Sequence, residues 1–116
     1  MRLHHLALLV ANCERARAFY GDLLGLPEVR RVAGEGALHA VWLRAGDAVL
    51  MLERGLRGAG HEASSGHLLA LAADDLPGWE ARLDAAGFPI VDRTPHTLYV
   101  QDPDGHRVGL SSYPLP

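Results

Sequence analysis

Two short apolar runs dominate the sequence: Arg2-Leu-His-His-Leu-Ala-Leu-Leu-Val10 and Gly66-His-Leu-Leu-Ala-Leu-Ala72. Each leads into a helical pattern that closes on a glycine. His5 and Gly25 are 20 positions apart, and so are His67 and Gly87. At an offset of 62, His5/His67, Leu6/Leu68, Gly25/Gly87, Leu26/Phe88, Pro27/Pro89, Val29/Val91 and Arg31/Arg93 share one register without gaps. Chance does not easily match a His, a Gly, a Pro and an Arg in this way. The chain therefore reads as two copies of one unit. Its 116 residues suit one domain, residues 1–116, with modules at about 1–54 and 66–116.

Within the first unit, Leu3 to Val10 is too short for a helix and reads as a strand. Asn12 is an N-cap candidate, and Ala16, Phe19, Tyr20, Leu23 and Leu24 recur at helical spacing, giving a helix over about 13–24. Gly25 and Pro27 stop it. Strands follow at Glu28 to Val32, Leu38 to Arg44 and Ala48 to Glu53, the last two joined by the hairpin signal Ala45-Gly46-Asp47. Residues 55–65 have no periodicity and read as a mobile linking loop that holds His61.

The second unit repeats the order. A strand at 67–72 precedes a helix capped by Asp74 or Asp75, with Pro77 in its first turn and an apolar face of Leu76, Trp79, Leu83 and Ala86. Strands then fall at Phe88 to Asp92, His96 to Gln101 and His106 to Ser112, with a tight turn at Asp102-Pro-Asp-Gly105. The fold class is α+β, two βαβββ units. A helix covers one face of each sheet and leaves the other concave, and two such faces can enclose a pocket.

Composition narrows the partners. The chain has no Lys, scattered Arg and a formal net charge of −3, which disfavours a nucleic-acid partner. No apolar stretch approaches membrane-spanning length, and no signal-peptide pattern opens the chain. A single cysteine, Cys13, cannot form an internal disulfide, which fits a reducing compartment. A cytoplasmic protein is expected.

The runs His5-Leu-Ala-Leu-Leu-Val10, Phe19-Tyr20-Gly-Asp-Leu-Leu-Gly-Leu26 and Asp102-Pro-Asp-Gly-His106, with His67 between them, resemble the vicinal oxygen chelate superfamily. That group includes glyoxalase I, extradiol dioxygenases, fosfomycin-resistance thiol transferases and bleomycin-resistance binding proteins. The resemblance covers essentially the whole chain. It is specific for fold and poor evidence for reaction, because the fold hosts several chemistries.

The resemblance implies metal ligands on the first and last strand of each unit. His5 and His67 match the first-strand positions. Met51 and Gly109 occupy the last-strand positions, where the one at 109 is normally a Glu. Chemistry on a divalent metal usually needs three protein ligands and an open position. A thioether does not suit magnesium, manganese, iron or zinc in sites of oxygen and imidazole. Glu53 shares the strand face of Met51, about 7 Å further along, and would be the third ligand. A weakly bound divalent metal (zinc, manganese, iron, nickel or magnesium) or no cofactor is expected. Strand alternation together with the resemblance adds Ala7, Trp42, Thr97, Tyr99, Arg107 and Ser111 to the candidate pocket, with Met51 and Gly109. His4 is expected on the opposite face from His5. Glycine at 109 would enlarge the cavity.

The expected function is small-molecule binding of the bleomycin-resistance type with an incomplete metal site, in a homodimer whose pockets both chains form. Two alternatives stay open. One is a metal-dependent enzyme: a glyoxalase-like lyase, a thiol transferase or a dioxygenase. The other is a structural dimer without pocket chemistry.

Overall fold

A computed structural model of the chain describes residues 1–58 and 66–115. The expected connection at 55–65, with His61, lies largely outside the described residues. The chain divides into two units, residues 1–60 and 61–116. The first runs β1 (His5–Leu9), α1 (Cys13–Arg17) continuing as a π-helical segment (Ala18–Leu23), β2 (Glu28–Ala33), β3 (Leu38–Ala45) and β4 (Ala48–Glu53). The second runs β5 (Leu69–Ala72), α2 (Leu76–Ala85), β6 (Asp92–Arg93), β7 (Thr97–Gln101) and β8 (Arg107–Ser111). Their sheets have the same order, β1-β4-β3-β2 and β5-β8-β7-β6, with the first strand parallel to the last and the rest antiparallel. The expected βαβββ repeat is thus the observed topology.

Alternation assigns each sheet two faces. In the first unit Val41, Leu43, Leu50 and Leu52 are buried beneath the helix, whose Cys13, Ala16, Phe19 and Tyr20 are buried in turn. The Cys13 thiol lies 3.7 Å from the Leu52 carbonyl, and Phe19 meets Tyr20 edge to face at 4.9 Å. In the second unit Leu98, Val100, Val108 and Leu110 form the core, and Leu83 is the buried residue of α2. Among the described residues its helix buries fewer side chains than its counterpart. A hollow of about 510 Å³ remains between Leu76, Ala81 and Leu98.

The helices are not aligned at one offset, contrary to the gapless register of 62. Asn12 caps α1 by accepting from the Arg15 N–H, and Asp75 caps α2 by accepting from the Gly78 N–H. Those caps are 63 apart (75 − 12), whereas the closing glycines, Gly25 and Gly87, are 62 apart. Tyr20 and Leu83, both fully buried, also differ by 63. The Leu26 N–H closes onto the Tyr20 carbonyl, and the Phe88 N–H onto Leu83, one residue nearer. The first helix therefore holds one extra residue after Tyr20. The π-helical turn absorbs it, with the Leu24 N–H reaching five residues back to Phe19. The expected helix over 13–24 is α-helical only to Arg17.

Other boundaries moved for local reasons. The strand expected at 67–72 begins at Leu69, leaving His67 outside it. The strand expected at 88–92 shrinks to Asp92–Arg93, since Pro89 has no N–H for the ladder. Asp102 is 4% exposed and accepts from the N–H groups of Asp104 and His106 at 2.8 Å each, fixing the turn before β8. The repeated arginines tie strand to helix: Arg31 pairs with Glu14 at 3.2 Å and Arg93 with Glu80 at 2.9 Å. Arg31 also grips Glu28 at 2.7 Å, and that hydrogen bond holds the Glu28 carboxyl below the usual carboxylate range. No helix among the described residues is long and apolar enough to cross a membrane.

Candidate functional site

In each unit the sheet face opposite the helix carries the candidate residues, in rows across the strands. The middle row of the first unit is Ala7, Met51, Trp42 and Arg30. His5, Val49 and Arg44 form the row on one side, and Leu9, Glu53, Ala40 and Val32 the row on the other. The middle row of the second unit is Ala70, Gly109, Tyr99 and Asp92. Ala72, Ser111 and Thr97 flank it, with a 2.8 Å hydrogen bond between the two hydroxyls. Gln101 pairs with Arg107 on its other side.

These rows superpose the units by position: Met51 corresponds to Gly109, Trp42 to Tyr99 and Ala7 to Ala70. Alternation then places Leu68 at the position of His5. His67 lies two residues before β5, exposed and outside the ladder that fixes side-chain direction. The equivalence of His5 and His67 follows the glycines at the helix ends. The first strands and the helix caps follow an offset one residue larger.

His5 is exposed at the start of β1, and its Nδ1 lies 2.8 Å from Nδ1 of His4, the rings edge to face at 5.1 Å. This corrects the expected separation of the two histidines. His4 precedes the strand, so pleating does not force its side chain to the opposite face.

The donors at the corresponding strand positions are one imidazole (His5), one thioether (Met51), an isobutyl group (Leu68) and a glycine (Gly109). Glu53 is half-buried and lies two rows from His5, about 13 Å along the strands. That is near the limit for two extended side chains meeting on one ion. Among the described residues no group of three or more His, Cys, Asp or Glu is placed to hold a metal. Within the units this donor set does not fit the three-ligand site that metal chemistry needs.

The same faces suit an organic ligand better. The Arg30 guanidinium stacks 4.7 Å from the Trp42 ring centre, presenting a flat, cationic surface beside Met51. The Trp42 Nε1 is buried without a hydrogen-bond partner. In the second unit a hollow of about 400 Å³ is lined by Leu68, Asp92, Tyr99, Gln101 and Arg107. That is within the size range of small-molecule sites. At Gly109 a Cβ would lie 3.6 Å from Tyr99 Cε1 and 3.4 Å from Thr97 Cγ2, so the tyrosine ring edge lies beside the bare backbone of the glycine. Arg30, Leu68 and Asp92 were not among the expected site residues. Alternation along Glu28–Ala33 and back from Ala70 would have found the first two.

Paired βαβββ units with open, residue-lined sheet faces define a class of fold shared by binding proteins and enzymes. The profile of the Glyoxalase/Bleomycin resistance protein/Dioxygenase superfamily matches residues 2–110, and the chain belongs to that superfamily. Its fold is shared by a lactoylglutathione lyase from Agrobacterium tumefaciens, at 25% identity and TM-score 0.72, covering 95% of this chain and 92% of that one. The fosfomycin resistance protein FosX from Mesorhizobium loti aligns at 20% identity and TM-score 0.76, covering 98% and 93%. TnmS3, an antibiotic binding protein from Streptomyces sp. CB03234, aligns at 22% identity and TM-score 0.72, covering 96% and 94%. A comparison with curated proteins finds no match.

Proposed function

We propose that this chain is a small-molecule-binding protein of the glyoxalase/bleomycin-resistance type that works without a catalytic metal. One observation carries the reading. The four corresponding strand positions hold His5, Leu68, Met51 and Gly109, which together offer one good ligand for a hard or borderline cation. The faces that carry few donors carry aromatic surface instead: Trp42 under Arg30 in one unit, Tyr99 beside Gly109 in the other. A planar ligand stacked on either ring would bury apolar area, and in the second unit Gln101, Asp92 and Arg107 would orient its polar groups. The ligand pockets belong to a homodimer, since a small chain of this family gains enclosure from a second copy.

A metal-dependent lyase or transferase is the competing reading, favoured by His5 and Glu53 sharing one sheet face. In it His5, His67 and Glu53 would hold a divalent metal, which would supply a Lewis acid for a substrate oxygen. Calorimetric titration of the purified protein with zinc, manganese and nickel, and with a panel of planar aromatic ligands, separates the two. The binding reading expects saturable aromatic binding that Trp42→Ala or Tyr99→Ala weakens, and no stoichiometric metal uptake. Micromolar, stoichiometric metal binding abolished by His5→Ala and by His67→Ala would establish the enzyme reading instead. Binding of neither metal nor ligand, with a dimer in sedimentation, would leave the structural dimer.

A further inference from the structure

The arginines of this chain are mostly occupied. Arg17, Arg31 and Arg93 are in ion pairs, and Arg30 and Arg82 lie over Trp42 and Trp79. Arg15 and Arg107 have other partners. Arg2, Arg44, Arg54 and Arg57 are in no ion pair among the described residues, and of these Arg2 and Arg44 share a site. Both line one hollow of about 590 Å³ in the first unit, together with His4, Asp47 and Val49.

Three segments build that hollow. The residues leading into β1 are held to the start of β4 by the Val49 N–H donating to the His4 carbonyl at 3.4 Å. The tight β3–β4 turn, with Gly46 at φ 61°, brings the end of β3 beside them. Two guanidiniums and an imidazole therefore meet a single carboxylate, Asp47, which is ion-paired with neither arginine. A concave surface with unpaired guanidiniums is a receptor for an oxyanion, because the planar fork of Arg matches carboxylate and phosphate oxygens in pairs.

The hollow adjoins the ligand face. Arg44 is two residues from Trp42 on β3 and on the same side of the sheet, about 7 Å along the strand. We infer that the ligand of this protein is an organic anion, its planar body on Trp42 and its carboxylate or phosphate between Arg2 and Arg44. This rests on the ligand-binding reading for the body. The anion site itself is independent of that reading.

Titration of the isotope-labelled protein, followed by amide and indole resonances at constant ionic strength, tests it with three probes: inorganic phosphate, acetate and benzoate. Saturable shifts at Leu3, His4, Gly46 and Val49 are expected, weakened about tenfold by Arg44→Gln and again by Arg2→Gln, as loss of a charge-assisted hydrogen bond requires. Arg54→Gln, a control outside the hollow, leaves them unchanged. Phosphate saturating below acetate marks a phosphate ester, and the reverse order a carboxylic acid. Benzoate adds a shift of the Trp42 indole resonance. If that shift is missing while the anion shifts persist, the anion site stands and the assignment of the ligand body to Trp42 falls. Absence of saturable shifts, or shifts unaltered in the double variant, overturns the anion site.

Discussion

Tyr99 stands directly across the β7–β8 pair from Gly109, close enough that a Cβ on the glycine would touch its ring edge at 3.6 Å. The contact is an ordinary van der Waals one, so the site has room for a methyl group. Gly109→Ala is expected to fold with a stability change within about 1 kcal/mol. Gly109→Glu is expected to raise divalent-metal affinity, and adding Leu68→His to raise it further, measured by calorimetry. His67→Ala in the Gly109→Glu background should leave the affinity unchanged. Loss of the gain there would put position 67, rather than 68, at the first-strand site.

Trp42 buries an indole N–H with no acceptor, which costs on the order of 1–3 kcal/mol. Phenylalanine keeps a flat ring and removes the donor. Trp42→Phe is therefore expected to be neutral or stabilising by up to about 1 kcal/mol in urea unfolding, after allowing for the smaller ring. A loss of several kcal/mol would mean that the N–H is satisfied in solution.

The extra residue of the first helix offers a deletion test. Asp22 sits in the π-helical segment and makes an exposed ion pair with Arg17 at 2.8 Å. Removing Asp22 would let the segment close as a regular helix at the cost of that weak pair. The deletion variant is expected to retain its fold, with a stability change of about 1 kcal/mol or less by thermal melting. Cooperative unfolding lost altogether would show that the wide turn is required.

Glu28 supplies a pH dependence with a definite sign. Its carboxyl is lowered by the hydrogen bond from Arg31, so its contribution is present above the unfolded-state value and lost as pH falls through the lowered one. Both partners are exposed, and the effect is small. The stability difference between the wild type and Arg31→Gln is expected at neutral pH and should vanish well below the ordinary carboxylate range. A difference that persists in strong acid would assign Arg31 a packing role instead.

Much of the fold was legible because alternation and stop signals agree. Ala48–Glu53 has the expected bounds, Asn12 caps the helix, and Gly46-Asp47 closes the hairpin. Parity paired Thr97 with Tyr99 and Gly109 with Ser111 within their strands, and the resemblance set the two pairs on one face. The register of the two units was not legible, because Gly25, Pro27 and Arg31 all lie after the extra residue and outvoted the strands before it. A π-helical turn has no sequence signature of its own, and here only the cap bonds reveal it. The pairing of His4 with His5 was hidden for a related reason: parity governs side chains within a strand, and β1 starts at His5.

The widened turn after Tyr20 has a consequence for how such a duplicated chain can change. It acts as a slack loop in a taut rope: a residue enters or leaves there while both sheets keep their cross-strand rows. Before that point the units count in one numbering and after it in another. Any motif transferred between the halves must first be told on which side of Tyr20 it falls.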